Sequence, residues 1–415
     1  MATIRPFMTL SAIGLSLAVL VPLPAAADSG DATPEPTTIL EALRQADVKG
    51  SFRYRFETVD EARFAESADA STLRTAIHYS SGSWRGWSLQ LGAENVAAVF
   101  DDDDYNNAGA GSLNNGVRGV PVVADPEITE LLEATLTYRS DKATVVLGRQ
   151  AINLGDQRFV GAVAWRQHHQ SFDAARFQLK ASPNVLFDYS YLARVHRIFG
   201  DDLGIEGHLL HVPLKFGNGP TLTLYGYQLD YDVASPFSTL TYGAEFVLKT
   251  KVSDAVGLRL ELEAAQQSDA GDNPFKVDTE YFVASTGLSF GKFGFDVTWE
   301  SLGDRGTGER SFSTPLATLH KFNGWADKFL QTPILGLDTL YLRFKGTVDG
   351  GLKWQLSYQD FSSTEGGLDY GTEIDAELVY KAPWSQVFGL KYADYDADTH
   401  STDTEKLMLW TALSF

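Results

Sequence analysis

The chain of 415 residues carries a formal charge of −20, 44% hydrophobic and 12% aromatic side chains, and no cysteine. So acidic a balance argues against nucleic acid as a partner, and a chain without cysteine holds neither a disulfide nor a lipid-modified cysteine. Aromatic residues are plentiful (17 Tyr, 25 Phe, 8 Trp) and methionines scarce (3); beyond residue 27 no stretch approaches the ~20 apolar residues of a spanning helix.

Residues 1–27 have the make-up of a secretory signal peptide: Arg5 supplies a positive start, Phe7 to Val21 an apolar core, and Ala25-Ala26-Ala27 a small-residue cleavage site. Residues 28–47 form a polar lead with a turn or two of helix around Ile39–Ala46, expected on the periplasmic side. From residue 48 to residue 415 a period-two alternation takes over. Phe52, Tyr54 and Phe56 face one way and Arg53, Arg55 and Glu57 the other; Leu73, Thr75, Ile77 and Tyr79 continue it, as do Trp87, Leu89 and Leu91. The acidic run Asp101–Asp104 follows within a long connection. Leu132–Tyr138 then turns at Ser140-Asp141 into Ala143–Leu147.

Between Val145 and Lys180 two strands flank a connection carrying Arg149, Arg158, Trp165, Arg166, His168 and His169. Loops of about twenty residues are usually functional or disordered, and this one is expected to fold over or into something hollow. Arg149 breaks parity with Val145 and Leu147, so either the strand bulges there or the loop has begun. Later strands pair through turns at 182–184, 217–219, 252–254, 291–292, 349–350 and 383–384, and the chain closes on Leu407, Leu409, Thr411, Leu413 and Phe415.

The connections alternate in length. Tight turns take every second place; the others hold Asp60–Ala70, Phe100–Ile128, Ala151–Ser171, Arg197–Ile205, Gln267–Asp278, Leu302–Leu337 and Ser362–Asp369. Short turns on one rim and long loops on the other mark an all-β, transmembrane, antiparallel up-and-down barrel of about eighteen strands, with periplasmic turns and extracellular loops. A soluble sandwich gives the same period but needs covered edges and does not place Tyr and Trp at strand ends. The expected location is the outer membrane of a Gram-negative bacterium, in contact with lipid and lipopolysaccharide. The terminal phenylalanine suits recognition by the barrel-assembly machinery.

If the apolar set meets lipid, the complementary set lines a lumen wide enough for water at this strand number. It includes Arg53, Arg55, Arg74, Arg139, Arg176, Arg194, Arg259 and Arg343 beside Glu57, Glu94, Glu261, Glu263, Asp296, Glu300, Glu373, Asp375 and Glu377. Arg139, Arg149, Arg158, Arg166, Arg176, Arg194 and Arg197 fall within one short span, so one sector of the wall is expected to be positive, facing a negative sector elsewhere. Such a field orients charged solutes. The bland alternative is that neighbouring opposite charges pair across the wall.

The run GRQAINLGDQRFVGAVAWRQHHQSFDAARF (Gly148–Phe177), HKFNGWADKFLQTP (His320–Pro333) and the opening FRYRFETVDEARF (Phe52–Phe64) resemble the alginate export family of outer-membrane porins. The resemblance implies an eighteen-stranded monomeric barrel that passively conducts an anionic polyuronate or related small solute through an arginine-lined constriction. It implies Arg149, Arg158, Arg166 and Arg176 as pore arginines, joined by His320, Asp327 and Lys328. The turn Ala382–Ser385 is too short to plug the periplasmic mouth as in the dedicated exporter, which weakens polymer export specifically. A general porin, or one specific for another substrate, is therefore the alternative reading.

An outer-membrane barrel enzyme is the rival from another class. His168-His169 beside Ser171 and Asp173 supplies the residue types of a triad, but neighbours in one loop lack the strained elbow that aims a nucleophilic serine. A metal site from His168, His169 and His320 is weaker than hydrogen-bonded histidines, and Asp101–Asp104 lacks calcium-loop spacing. No motif implies a cofactor.

Overall fold

The computed structural model describes residues 35–100 and 104–415; the signal-peptide reading and most of the Asp101–Asp104 run lie outside the described residues. Eighteen strands form one antiparallel sheet closed by the first against the last. In chain order they are β1 Asp47–Glu61, β2 Ala68–Ser80, β3 Trp87–Ala98, β4 Ile128–Arg139, β5 Ala143–Gln150, β6 Ser171–Ser182, β7 Val185–His196, β8 Asp202–Lys215 and β9 Thr221–Tyr231, then β10 Thr239–Lys251, β11 Val256–Asp269, β12 Asp278–Phe290, β13 Phe293–Leu302, β14 Leu337–Thr347, β15 Lys353–Ser362, β16 Asp369–Lys381, β17 Val387–Ala397 and β18 Thr404–Ser414. Every strand pairs with its chain neighbours, so short connections such as 140–142, 183–184, 291–292 and 382–386 share one rim, and 99–127, 151–170 and 303–336 the other.

The outward face is the alternating apolar set. Leu136 pairs with Leu147, Val145 with Phe177, Leu179 with Phe187 and Phe295 with Phe344, and Leu136, Leu147, Phe177, Phe187, Leu262 and Leu356 are all exposed. A belt of exposed aliphatics around a closed sheet is far beyond what water tolerates, and a barrel satisfies its backbone within lipid. Aromatic pairs thicken it near the short-turn rim, Trp87 on Tyr138 at 5.0 Å and Phe344 on Trp354 at 5.0 Å. Among the described residues no helix is long and apolar enough to cross a membrane. The one α-helix among the described residues, α1 (Ile39–Arg44), starts at a capping box formed by Thr38 and Glu41.

β5 is the shortest strand, eight residues, and its end sets up the interior. Gly148 lies at φ +112°, where a Cβ would stand 2.2 Å from the Ala134 carbonyl oxygen. The strand stays in register through Arg149 to Gln150, so the parity break at Arg149 falls next to this glycine and not at a bulge of β5 or at the start of the loop. After Gln150 the chain leaves the wall and runs into the barrel, so the apolar core sits inside the lumen, built from loops.

Candidate functional site

Two long loops meet inside the barrel. Loop 151–170 brings Ile152, Leu154 and Val160, and loop 303–336 brings Phe312, Leu316, Trp325 and Phe329; all are buried together with the wall residues Leu192, Tyr225, Tyr227, Tyr281, Phe361 and Tyr395. The Gly161 N–H donates to the Leu316 carbonyl at 2.8 Å, and Thr318 donates through N–H and Oγ1 to Gln157 at 3.1 and 2.8 Å. A Cβ on Gly161 would lie 2.2 Å from Thr318 Oγ1, so this approach needs glycine. Phe159 packs on Tyr225 and Tyr281, centroids 5.2 and 5.3 Å apart.

The charged residues expected at the constriction fasten these loops. Arg158, 2% exposed, donates to Glu300 at 2.7 Å and to Asn323 Oδ1 at 2.9 Å, with its guanidinium 4.7 Å over Phe322. Glu300 also accepts from Tyr281 and Tyr341 hydroxyls at 2.9 and 2.8 Å. Arg166 faces Glu57 at 3.1 Å, Asp327 at 3.5 Å and Asp125 at 3.8 Å. Arg53 and Arg55 donate to loop carbonyls, Ala164 at 3.0 Å and Trp165 at 2.6 Å, and Arg55 also pairs with Asp125. His320 stacks on Trp165, rings 4.8 Å apart and 5° from parallel, with Asp327 2.9 Å from Nδ1. Asp327 accepts from Lys406 at 2.7 Å, and Lys328 pairs with Glu61 at 3.0 Å. Glu373 accepts the Ala326 N–H at 2.8 Å, fixing loop 303–336 to β16.

Burial works against charge on Asp327, but Lys406, His320 and Arg166 hold its carboxyl well below the usual range. Burial pushes the His320 imidazole down to about 3, although Asp327 pulls the other way. His168 is the opposite case. Burial alone would lower its pKa, yet Glu130 and Glu94, 3.3 and 2.7 Å from its two nitrogens, raise it to about 9.

The remaining expected arginines sit in or beside the wall. Arg176 holds Asp188 through two bonds of 2.8 and 2.5 Å, and Arg149 lies between Glu130 at 3.0 Å and Asp173 at 3.1 Å. Arg194 is 3.5 Å from Asp202, and Arg139 is exposed at the short-turn rim. The span expected to be a free positive sector is therefore interleaved with carboxylates on the adjoining strands. Register, which brings Asp188 to the Arg176 strand, decides this.

A cavity of about 590 Å³ remains between the two loops and β10–β17. Six acids (Asp156, Glu261, Glu263, Asp296, Glu300, Glu377) and six bases (Lys249, Arg259, Lys321, Arg343, Lys345, Lys391) line it. They are unequally committed. Arg259 pairs with Glu261 and Lys345 with Asp296, both at 2.6 Å. Lys391 lies 3.9 Å over Trp165 and 4.1 Å over Trp325, with Glu377 at 3.9 Å. Among the described residues, Arg343 and Lys249 have no ion pair, and Arg343 Nε is buried without a hydrogen-bond partner. A smaller cavity of about 100 Å³ lies toward the long-loop rim, lined by Phe237, Arg310, Phe312, Leu330 and Arg158. Arg158 thus borders the outer cavity while its partners Glu300, Tyr281 and Phe322 border the inner one.

His168 and His320 are tied to different partners and do not converge. Glu130, His196 and Asp202 do come together at the outer rim, where Arg149 and Arg194 already occupy the carboxylates.

A closed barrel with a lipid belt and a charged, partly loop-filled lumen defines an outer-membrane channel protein of the porin type, placed in the outer membrane of a Gram-negative bacterium. The family model described as alginate export matches residues 44–193, from α1 into β7, and the chain resembles the porins of that family. Solved structures share the architecture: OpdK of Pseudomonas aeruginosa, crystallised with vanillate, has a TM-score of 0.70 at 16% identity, covering 90% of this chain and 100% of that one. OccAB4 of Acinetobacter baumannii gives 0.70 at 13%, covering 89% and 98%, and OccK9 (OpdG) of Pseudomonas aeruginosa 0.71 at 13%, covering 90% and 99%. At such identities the likeness is one of fold. No curated protein sequence matches the chain.

Proposed function

We propose that the protein is a passive channel for small carboxylate-bearing solutes, which pass between the outer mouth and the inner cavity beside the Arg158–Glu300 knot. The observation that carries this reading is Arg343, a guanidinium in the cavity wall with no carboxylate of its own. A guanidinium fork binds carboxylates in two-point fashion and stays charged at any relevant pH. Lys249 is a second uncommitted cation, whereas Lys345 is paired with Asp296 and Lys391 is held over Trp165 and Trp325 with Glu377 at 3.9 Å. Several moderate contacts in sequence release a solute better than one tight site. The vanillate named with OpdK is itself a small carboxylate, which supports the same class here.

The polymer reading of the family name fits this lumen less well. Loops 151–170 and 303–336 occupy the barrel's cross-section and are fixed by buried ion pairs, so a hydrated polysaccharide would have to break them. Arg149 and Arg176, held by wall carboxylates, are stabilisers of the wall in this account, and Arg158 and Arg166 set the width of the constriction.

The test is the zero-current potential of single channels under a salt gradient. Replacing Arg343 and Lys249 together by alanine moves it toward cation selectivity, while R149A/R176A, correctly folded, leaves it within a few millivolts of wild type. The reverse ranking of the two double variants sinks the proposal.

A further inference from the structure

We infer that α1 is a lipid anchor, bound by phospholipid of the periplasmic-facing leaflet rather than by water or a protein. Helical residues advance about 100° each, so Ile39, Leu40 and Leu43 share one face; they are 57%, 55% and 39% exposed. Ala42, on another side, is the buried residue that meets the barrel. Glu41 is spent in the capping box, and Arg44 stands in the last turn at the edge of the apolar stripe.

The helix is held against the barrel where that barrel already meets lipid. The Tyr79 hydroxyl donates to the Leu43 carbonyl at 2.7 Å, Trp84 Nε1 to the Thr37 carbonyl at 3.2 Å, and the Gly82 N–H to the Ala42 carbonyl at 2.9 Å. Tyr79 shares a face of β2 with Ile77, which is 56% exposed and belongs to the lipid-facing set, as does Val48 of β1. The apolar face of α1 therefore continues the belt at the short-turn rim. Trp84, Trp87 and Tyr138 mark the interfacial depth. Arg85, its guanidinium 5.0 Å over the Trp84 ring, and Arg44 are placed at the level of phosphodiester headgroups. Anchored there, α1 is held outside the barrel wall, clear of the opening on the short-turn side.

The absence of cysteine allows a single fluorophore to be placed at will. Leu40→Cys and, ahead of the helix at an exposed acidic position, Glu35→Cys are labelled with bimane in the full-length protein and reconstituted in vesicles of brominated phospholipid. Expected is strong quenching by brominated lipid at position 40, at least twofold over position 35, with position 40 shielded from aqueous iodide. Iodide quenching of position 40 equal to that of position 35 overturns the anchor. So does shielding from both quenchers, which would mean that protein covers the face. Neither substitution removes a member of the Thr38–Glu41 capping box, and barrel folding, read by heat-modifiable gel mobility, checks each labelled variant.

Discussion

At the residue scale, the interior is governed by who partners each charge. A cation facing a cavity without a carboxylate can act on solute; one locked to a neighbour holds the wall. His168 shows how much such locking stabilises. Its folded pKa of about 9 exceeds the ordinary imidazole value of about 6.5, so the stabilisation is complete below about pH 6.5 and is lost as pH rises through 9; its size is of order 3 kcal/mol. Its facing groups are Glu94 on β3, itself held by Arg74 at 2.5 Å, and Glu130 on β4, shared with Arg149. The protection factors of loop 151–170, exchange corrected for its intrinsic base catalysis, should therefore fall between pH 7 and pH 10, and His168→Gln should flatten that dependence. An equal slope in the variant would show that another group titrates. Sequence reasoning found the histidine but not its partners, because Glu94 and Glu130 meet it only where loop 151–170 folds inward against the β3–β4 pair.

At the scale of elements, the strands were legible and the interior was not. The side-chain period of two survives in single sequence because one face must meet lipid along its whole length, so the outward residues from Phe52 to Leu413 and the tight turns could be read directly. Loop 151–170 also announced itself by its cargo. Loop 303–336 was read as a long connection, and through the resemblance as the carrier of His320, Asp327 and Lys328, although Phe312, Leu316, Phe322, Trp325 and Phe329 in it are a signal that it is buried. Arg343 and Lys391 were placed in the lumen-facing set but not among the pore residues, since on a strand an unpaired charge looks the same as a paired one until the register is known. The dive of β5 is one feature that sequence half revealed, as a parity break. It rests on Gly148, whose added Cβ would collide with backbone, where relief is least available. Gly148→Ala should destabilise the barrel by about 2 kcal/mol or more, seen as a lower midpoint in heat-modifiable gel mobility. An unchanged midpoint would mean the wall relaxes there without strain.

At the scale of the whole molecule, the charge of −20 and the proposed passage of carboxylates through the lumen are compatible because of distance. Exposed loop charges fade over roughly 8 Å at physiological salt, whereas a lumen cation acts at contact. The barrel supplies a wall impermeable to charge; two loops bolted by Arg158, Arg166 and Arg55 narrow it; in the proposed function the cavity beneath offers Arg343 and Lys249 to a passing anion. The central claim of the proposed function is that a small carboxylate enters the open channel and lingers because of its charge. The direct measurement is single-channel current in planar bilayers with vanillate, or its uncharged relative vanillyl alcohol, added at millimolar concentration. The account predicts that vanillate interrupts the current in a concentration-dependent way while the alcohol does not, and that the interruptions shorten when Arg343 is replaced by alanine. Equal interruption by acid and alcohol, or an open current indifferent to both, would contradict it.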